Sequence, residues 1–146
     1  MKKIKHEQGQ SLVEMAVSLV LLLLLLSGAV EFGMAFFQYI QLRDAVQEGA
    51  FYGSIAPTDE VGIRSRTRGA SDTPIKLSDT TLIPDSKIGI TYTGSACEDT
   101  GNAITVTISY DHTIFMPFMS GALGGRTTIP LKASVTDTIL SPGCTP

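Results

Sequence analysis

The sequence predicts an α+β protein: a long N-terminal helix, transmembrane in its first half and amphipathic in its second, packed on a small antiparallel sheet of about three strands. Three observations carry this. Met15 to Val30 contains no charged residue and includes an unbroken leucine block from Leu21 to Leu26. No proline occurs before Pro57. The C-terminal half holds three runs in which apolar and polar residues alternate with a period of two, the pattern of strands with one buried face.

The apolar run comes first in the chain. At about 1.5 Å per residue, the 16 positions from Met15 to Val30 cover roughly 24 Å of helix. The uncharged segment Phe32 to Ile40 extends it to the roughly 30 Å of a bilayer core. Residues 10–36 therefore read as a transmembrane helix. Residues 1–9 read as a cytoplasmic leader, because Lys2, Lys3 and Lys5 precede the run and no lysine or arginine comes after it until Arg43. That asymmetry keeps the N-terminus inside and exports the residues beyond about Phe36, to the cell surface or periplasm. An ordinary secretory signal, cut after Ala29, is the competing reading. It fits less well, because an h-region is about 7–15 residues long and this run exceeds it.

A carboxylate stands near each end of the span, Glu14 and Glu31. A charge at such depth costs on the order of 2.5–3.5 kcal/mol, which marks both as candidate functional groups. Ala29 and Gly33 are spaced to let a second helix approach closely, or are incidental small residues. Residues 37–53 continue as an amphipathic helix, with Phe36, Phe37, Ile40, Val46 and Ala50 as the apolar stripe and Gln38, Gln41, Arg43, Asp44, Gln47 and Glu48 between them. Gly53 is the expected C-cap, with Pro57 beyond it.

Residues 54–146 form the exported, strand-rich part. Thr58 is the expected N-cap of a short helix ending near Ala70, weakened by Gly62. Arg64, Arg66 and Arg68 read as a solvated face. Ser71 to Ser86 is loop-like. The strand runs are Ile88–Ile90–Tyr92, Ile104–Val106–Ile108–Tyr110 and Ile129–Leu131–Ala133–Val135, each alternating with polar neighbours. Between the last two lies an apolar loop, Ile114 to Gly125, with Phe115, Met116, Phe118, Met119 and Leu123. Two readings stand: a contact patch for a neighbouring subunit or the membrane surface, or a flap folded back over the core. Cys97 and Cys144 are the only cysteines. In an exported domain they form one disulfide, the alternative being two free thiols. Closing that loop of about 46 residues contributes roughly 4 kcal/mol on chain-entropy grounds.

The net charge of −3 and pI near 5.2 argue against nucleic acid as a partner. No catalytic, metal-binding or cofactor-binding constellation is visible: the histidines are His6 and His112, and CxxC, HExxH, GxSxG and phosphate-loop patterns are missing. The expectation is a protein that is not an enzyme and takes no cofactor. His112 reads as a polar residue at a strand end.

Gly9-Gln10-Ser11-Leu12-Val13-Glu14 resembles the processing site of type IV pilin-like precursors. That string extended to Val17, then Val30-Glu31-Phe32-Gly33, then Gln47-Glu48-Gly49-Ala50-Phe51-Tyr52-Gly53, resembles the TadE-like family, pseudopilins of the tight-adherence (Flp-type) pilus. The resemblance covers Gly9 to Gly53, and three separated blocks keep their relative spacing. It departs from the family pattern in having no proline within the span and Met34 in place of a basic residue, and from pilins in having Gln10 where the mature chain often begins with an aromatic. The resemblance implies cleavage between Gly9 and Gln10 by a prepilin-type peptidase, with Glu14 as the fifth mature residue. It also implies a structural role in assembling a tight-adherence pilus or related secretion filament. The partners would be membrane lipid, the peptidase and other pilin or pseudopilin subunits. On physical grounds Glu14 lies one turn from a Gln10 amine, at i+4, and pairs with it or with a neighbour's; the plainer reading is a carboxylate snorkelling to the interface. Glu31 reads as an interhelix hydrogen-bonding group or a boundary marker. The competing function is an uncleaved, signal-anchored surface binding or adhesion module.

Overall fold

The computed structural model describes residues 7–94, 102–116 and 119–140. Helix α1 runs Glu7–Ile55 and α2 Glu60–Gly69; a 3₁₀ turn at Asp85–Lys87 leads into β1 (Ile88–Thr93), followed by β2 (Ala103–Thr113), a one-turn helix α3 (Met119–Ala122) and β3 (Thr128–Thr138). The fold is the expected α+β arrangement, a long apolar helix followed by a three-stranded antiparallel sheet. It divides into two compact units. One joins the first part of α1, as far as Met34, to Thr113–Thr127; the other holds Ala35–His112 and the residues from Thr128 onward.

In the second unit the strands lie in the order β1-β2-β3. β1 pairs antiparallel with β2 in the register Ile88↔Ile108, Ile90↔Val106, Tyr92↔Ile104. The outer face of the β2–β3 pair carries two cross-strand hydroxyl contacts, Thr105 to Thr136 at 2.8 Å and Thr107 to Ser134 at 3.0 Å. Numbers rising on one strand against falling on the other fix that pair as antiparallel too. β3 is an edge strand and contains Pro130. The period-two alternation is realised as expected, with Ile88, Ile104, Val106, Ile108 and Ala133 buried. Their faces meet Leu42, Ala45, Val46 and Ala50 of α1, Ile63 of α2, and Ile75, Leu77 and Ile83 of the intervening loop in one core.

The side of α1 turned toward this core differs from the expected stripe. Val46 and Ala50 are buried, but Phe36, Phe37 and Ile40 are exposed (54%, 56% and 39%), while Gln38 and Gln41 are buried. Side-chain size decides the face. A Cβ on Gly49 would lie 2.1 Å from Thr67 Oγ1, and one on Gly53 would lie 2.5 Å from Ile104 Cδ1. The helix is notched by glycine where α2 and β2 press against it, and bulky side chains fall on the other side.

Gly53 is therefore an interior helical residue rather than the C-cap. The helix continues to Ile55, the Ala56 amide still donates to the Tyr52 carbonyl (3.0 Å), and the freed Ser54 carbonyl accepts from the Leu140 amide (2.8 Å), so a terminal acceptor finds its donor across the fold. Pro57 ends the helix. The N-cap of α2 is Asp59 rather than Thr58: its carboxylate accepts from the Gly62 amide (2.9 Å) and from the Tyr52 hydroxyl (2.8 Å). A Cβ on Gly62 would lie 2.2 Å from Asp59 Oδ2, so the glycine makes room for the cap. At the other end α1 begins at Glu7, earlier than Gln10. Cys97, Cys144 and Phe118 lie outside the described residues, and so does the disulfide expectation.

Candidate functional site: the apolar helix and its carboxylates

The large apolar residues from Leu12 to Leu26 are all exposed. A helix in a soluble core buries at least one stripe; the most apolar stretch of α1 buries none of its residues. Among the described residues it is the one helix long and apolar enough to cross a membrane. That is compatible with single-pass anchoring. Gly9 and Gln10 lie within its first turns, both exposed, and a Cβ at Gly9 would meet nothing within 4 Å. Glu14 is exposed one turn beyond Gln10.

Glu31 is placed very differently. It is 2% exposed, and its carboxylate accepts the Met116 amide at 2.8 Å and the Phe115 amide at 3.2 and 3.3 Å. The apolar loop thus folds back onto α1. Met119 also lies beside α1, where a Cβ on Gly28 would be 3.9 Å from its Sδ, an ordinary packing distance. Ala29 and Gly33 are exposed, and Gly33 has open space where its Cβ would be. The helix therefore carries two faces at this level, one occupied by the loop and one of small residues left open. Of the loop residues singled out in the sequence, Phe115 is 60% exposed and Met116 and Met119 are half-buried. Glu31 serves as the loop's acceptor, a role that neither sequence reading gave it.

A family model described as TadE-like protein matches residues 9–50. No curated protein and no solved structure matches the chain. The TadE-like segment lies wholly within α1. It contains Gly9, Gln10, Glu14, Ala29, Glu31 and Gly33, and stops short of α2 and the sheet.

Within the TadE-like segment two glutamines missed by sequence reasoning hold the second unit together. Gln41 clamps the backbone of Ile75, donating to its carbonyl (2.7 Å) and accepting its amide (2.7 Å), as a neighbouring strand would. Gln38 Oε1 accepts from Nδ1 of His112 at 2.6 Å, and His112 is fully buried. His112 is at a strand end, as expected, but it is a core residue. The available signal was spacing: Gln38, Leu42, Ala45, Gly49 and Gly53 recur at intervals of three and four, a face built of small and amide side chains rather than greasy ones.

The arginines also do more than solvate. Arg64 donates to the carbonyls of Asp85 (2.9 Å) and Ile88. Arg68 donates to the Ile83 carbonyl (3.1 Å) and pairs with Asp85. Being four residues apart, they share one face of α2 and pin the loop that feeds β1. The Arg68 bond and charge hold the Asp85 carboxyl below its ordinary range. Arg66 points elsewhere, 5.4 Å from the Tyr52 ring centre.

Proposed function

We propose that this protein is a single-span, pseudopilin-like structural component that helps assemble a tight-adherence pilus or a related secretion filament. The TadE-like match over residues 9–50 carries the reading, and its coarser content is association with a pilus of that type. Two features support the finer role. The matched segment is a helix exposed and apolar on all sides through its leucine block, suited to lipid and to lateral packing against other helices. Gly9 and Gln10 sit at its start, ahead of the first carboxylate.

In this reading the leader stays cytoplasmic and the sheet unit is exported. A prepilin-type peptidase cuts the peptide bond between Gly9 and Gln10. Glycine weakens a helix by about 1 kcal/mol relative to alanine, so the chain opens there more readily than elsewhere in the turn. The cut creates a Gln10 amine. Glu14 lies one turn away and pairs with that amine or with a neighbouring subunit's, and a carboxylate near lipid favours the packed state in which it has a cation. Ala29 and Gly33 offer close approach to a second helix. Other pilin or pseudopilin subunits, the peptidase and membrane lipid are the partners.

The test is the mass and N-terminal sequence of the native protein extracted from membranes. A chain beginning at Gln10 supports the reading. A chain beginning at Met1 overturns it and favours an uncleaved, signal-anchored surface binding module.

A further inference from the structure

The loop between β2 and β3 is also built for lipid. Thr113 to Gly125 holds no charged side chain. A polypeptide segment enters the apolar part of a bilayer only when its backbone donors are satisfied internally, and here they largely are. The Ile114 amide donates to Thr127 O (3.0 Å), Met119 to Met116 O (3.4 Å), Leu123 to Met119 O (2.9 Å), Gly124 to Gly121 O (3.3 Å) and Gly125 to Ser120 O (2.7 Å). Phe115 and Met116 donate to the Glu31 carboxylate. With that internal bonding in place, Phe115 and Leu123 still turn outward, 60% and 41% exposed.

Depth is set by the helix to which the loop is tied. A span entering the bilayer near Ser11 covers about 30 Å in 20 residues and leaves near Val30. Glu31, which accepts the loop amides, and Gly28, beside Met119, lie at that exit. The loop is therefore continuous with the lipid-facing surface of the helix, at the level where acyl chains meet headgroups. We propose that the described residues of this loop, 114–116 and 119–125, form a second membrane contact: they lie in the outer boundary of the bilayer, with Phe115 and Leu123 in the acyl region. Glu31 supplies the acceptor that lets two loop amides leave water, and the loop in turn supplies the donors a carboxylate at that depth requires. The inference rests on the proposed reading of α1 as a membrane span, with its exit near Val30.

The chain contains no tryptophan, so one introduced indole reports alone. The full chain carrying Phe115→Trp, Leu123→Trp, Leu22→Trp or Val61→Trp is reconstituted in phosphatidylcholine–phosphatidylglycerol vesicles. Each is read by emission maximum, by quenching with brominated lipid and by quenching with aqueous iodide. Leu22 and Val61 are exposed in the native fold and mark the span and the α2 surface. The expected result is lipid quenching of F115W and L123W several-fold above V61W, with blue-shifted emission. Lipid quenching of L22W but iodide quenching of F115W and L123W equal to V61W overturns the loop inference alone. Failure of L22W to respond to brominated lipid overturns the span, and the loop inference with it. A blue shift of F115W without lipid quenching, lost as protein is diluted in lipid, assigns the patch to a second copy of the chain and overturns the lipid contact.

Discussion

The carboxylate of Glu31 accepts the backbone amide of Met116 at 2.8 Å, tying a residue of α1 to a loop 85 positions later in the chain. The Phe115 amide joins it. Hydrogen bonds to a charged group contribute about 1.5–3 kcal/mol each. Glu31→Ala is expected to speed hydrogen exchange at the Phe115 and Met116 amides roughly ten- to a hundredfold, since each 1.4 kcal/mol is a factor of ten. Glu31→Gln keeps one acceptor oxygen and should lose less. Unchanged exchange in the alanine variant would show that the carboxylate does not hold the loop.

The glycine notches make a contrasting pair of predictions. Gly53→Val forces a branched side chain into Ile104 and Ile63 and is expected to destabilise the second unit by about 1–3 kcal/mol, the usual cost of overpacking. Gly33→Ala has open space and gains up to about 1 kcal/mol of helix propensity. Thermal unfolding followed by circular dichroism in detergent should lower the midpoint of the first and hold or raise that of the second.

His112 tests the buried polar pair. Gln38→Leu removes the acceptor at 2.6 Å from Nδ1 and should cost about 1–3 kcal/mol, because the ring remains buried with a donor to satisfy. Replacing both partners, Gln38→Leu with His112→Phe, should recover much of the loss. Urea midpoints of the wild type, the single and the double variant decide it; a double variant as weak as the single would mean the ring's other contacts matter more.

Acid and base should both weaken the α1–α2 junction, through different partners of one hydrogen bond. The Gly62 amide and the Tyr52 hydroxyl hold the Asp59 carboxyl below its ordinary value. A carboxyl depressed in the folded state contributes stability above its unfolded value near 4, and that contribution fades as pH falls through the lower folded value. The same hydrogen bond, with the Asp59 charge, raises the Tyr52 phenol, whose contribution is complete below about pH 10 and lost as pH rises past the folded value. Asp59→Asn should flatten the acid limb of stability against pH, measured by urea midpoint. A limb of unchanged slope would assign the acid sensitivity to other carboxyls such as Asp72 or Asp79, which are also depressed.

Two N-terminal variants test the proposed processing and the proposed assembly role separately. Gly9→Ala adds a methyl where nothing lies within 4 Å, so the helix is kept. A full-length precursor is expected by mass spectrometry, and normal mature protein from that variant would remove the cleavage claim. Glu14→Ala should still be cut yet fail to co-isolate with partner subunits. Its undiminished presence in assemblies would show that the carboxylate has no part in them.

The fold was legible where the pattern was local. Period-two alternation placed Ile88, Ile104, Val106 and Ile108 on the inner face, and the leucine block marked the exposed apolar helix. The rotation of α1 was not legible, because a count of apolar residues favours Phe36, Phe37 and Ile40 while packing favours the thin side with Gly49 and Gly53. Pairings between distant residues also escaped: nothing near Glu31 or Gln38 in sequence names Met116 or His112. The N-cap slipped by one residue because Thr58 and Asp59 offer the same chemistry, and only the room made by Gly62 chooses between them.

Pro130 on β3 bears on colloidal behaviour. An outer strand normally offers a row of donors and acceptors on which a foreign strand can zip, the first step toward cross-β aggregation. Proline cannot donate, and it is tolerated in a sheet chiefly at such a border. Lys132, two residues on, adds a charge that a dry zipper would have to bury. Copies brought close together are thereby discouraged from knitting through that margin.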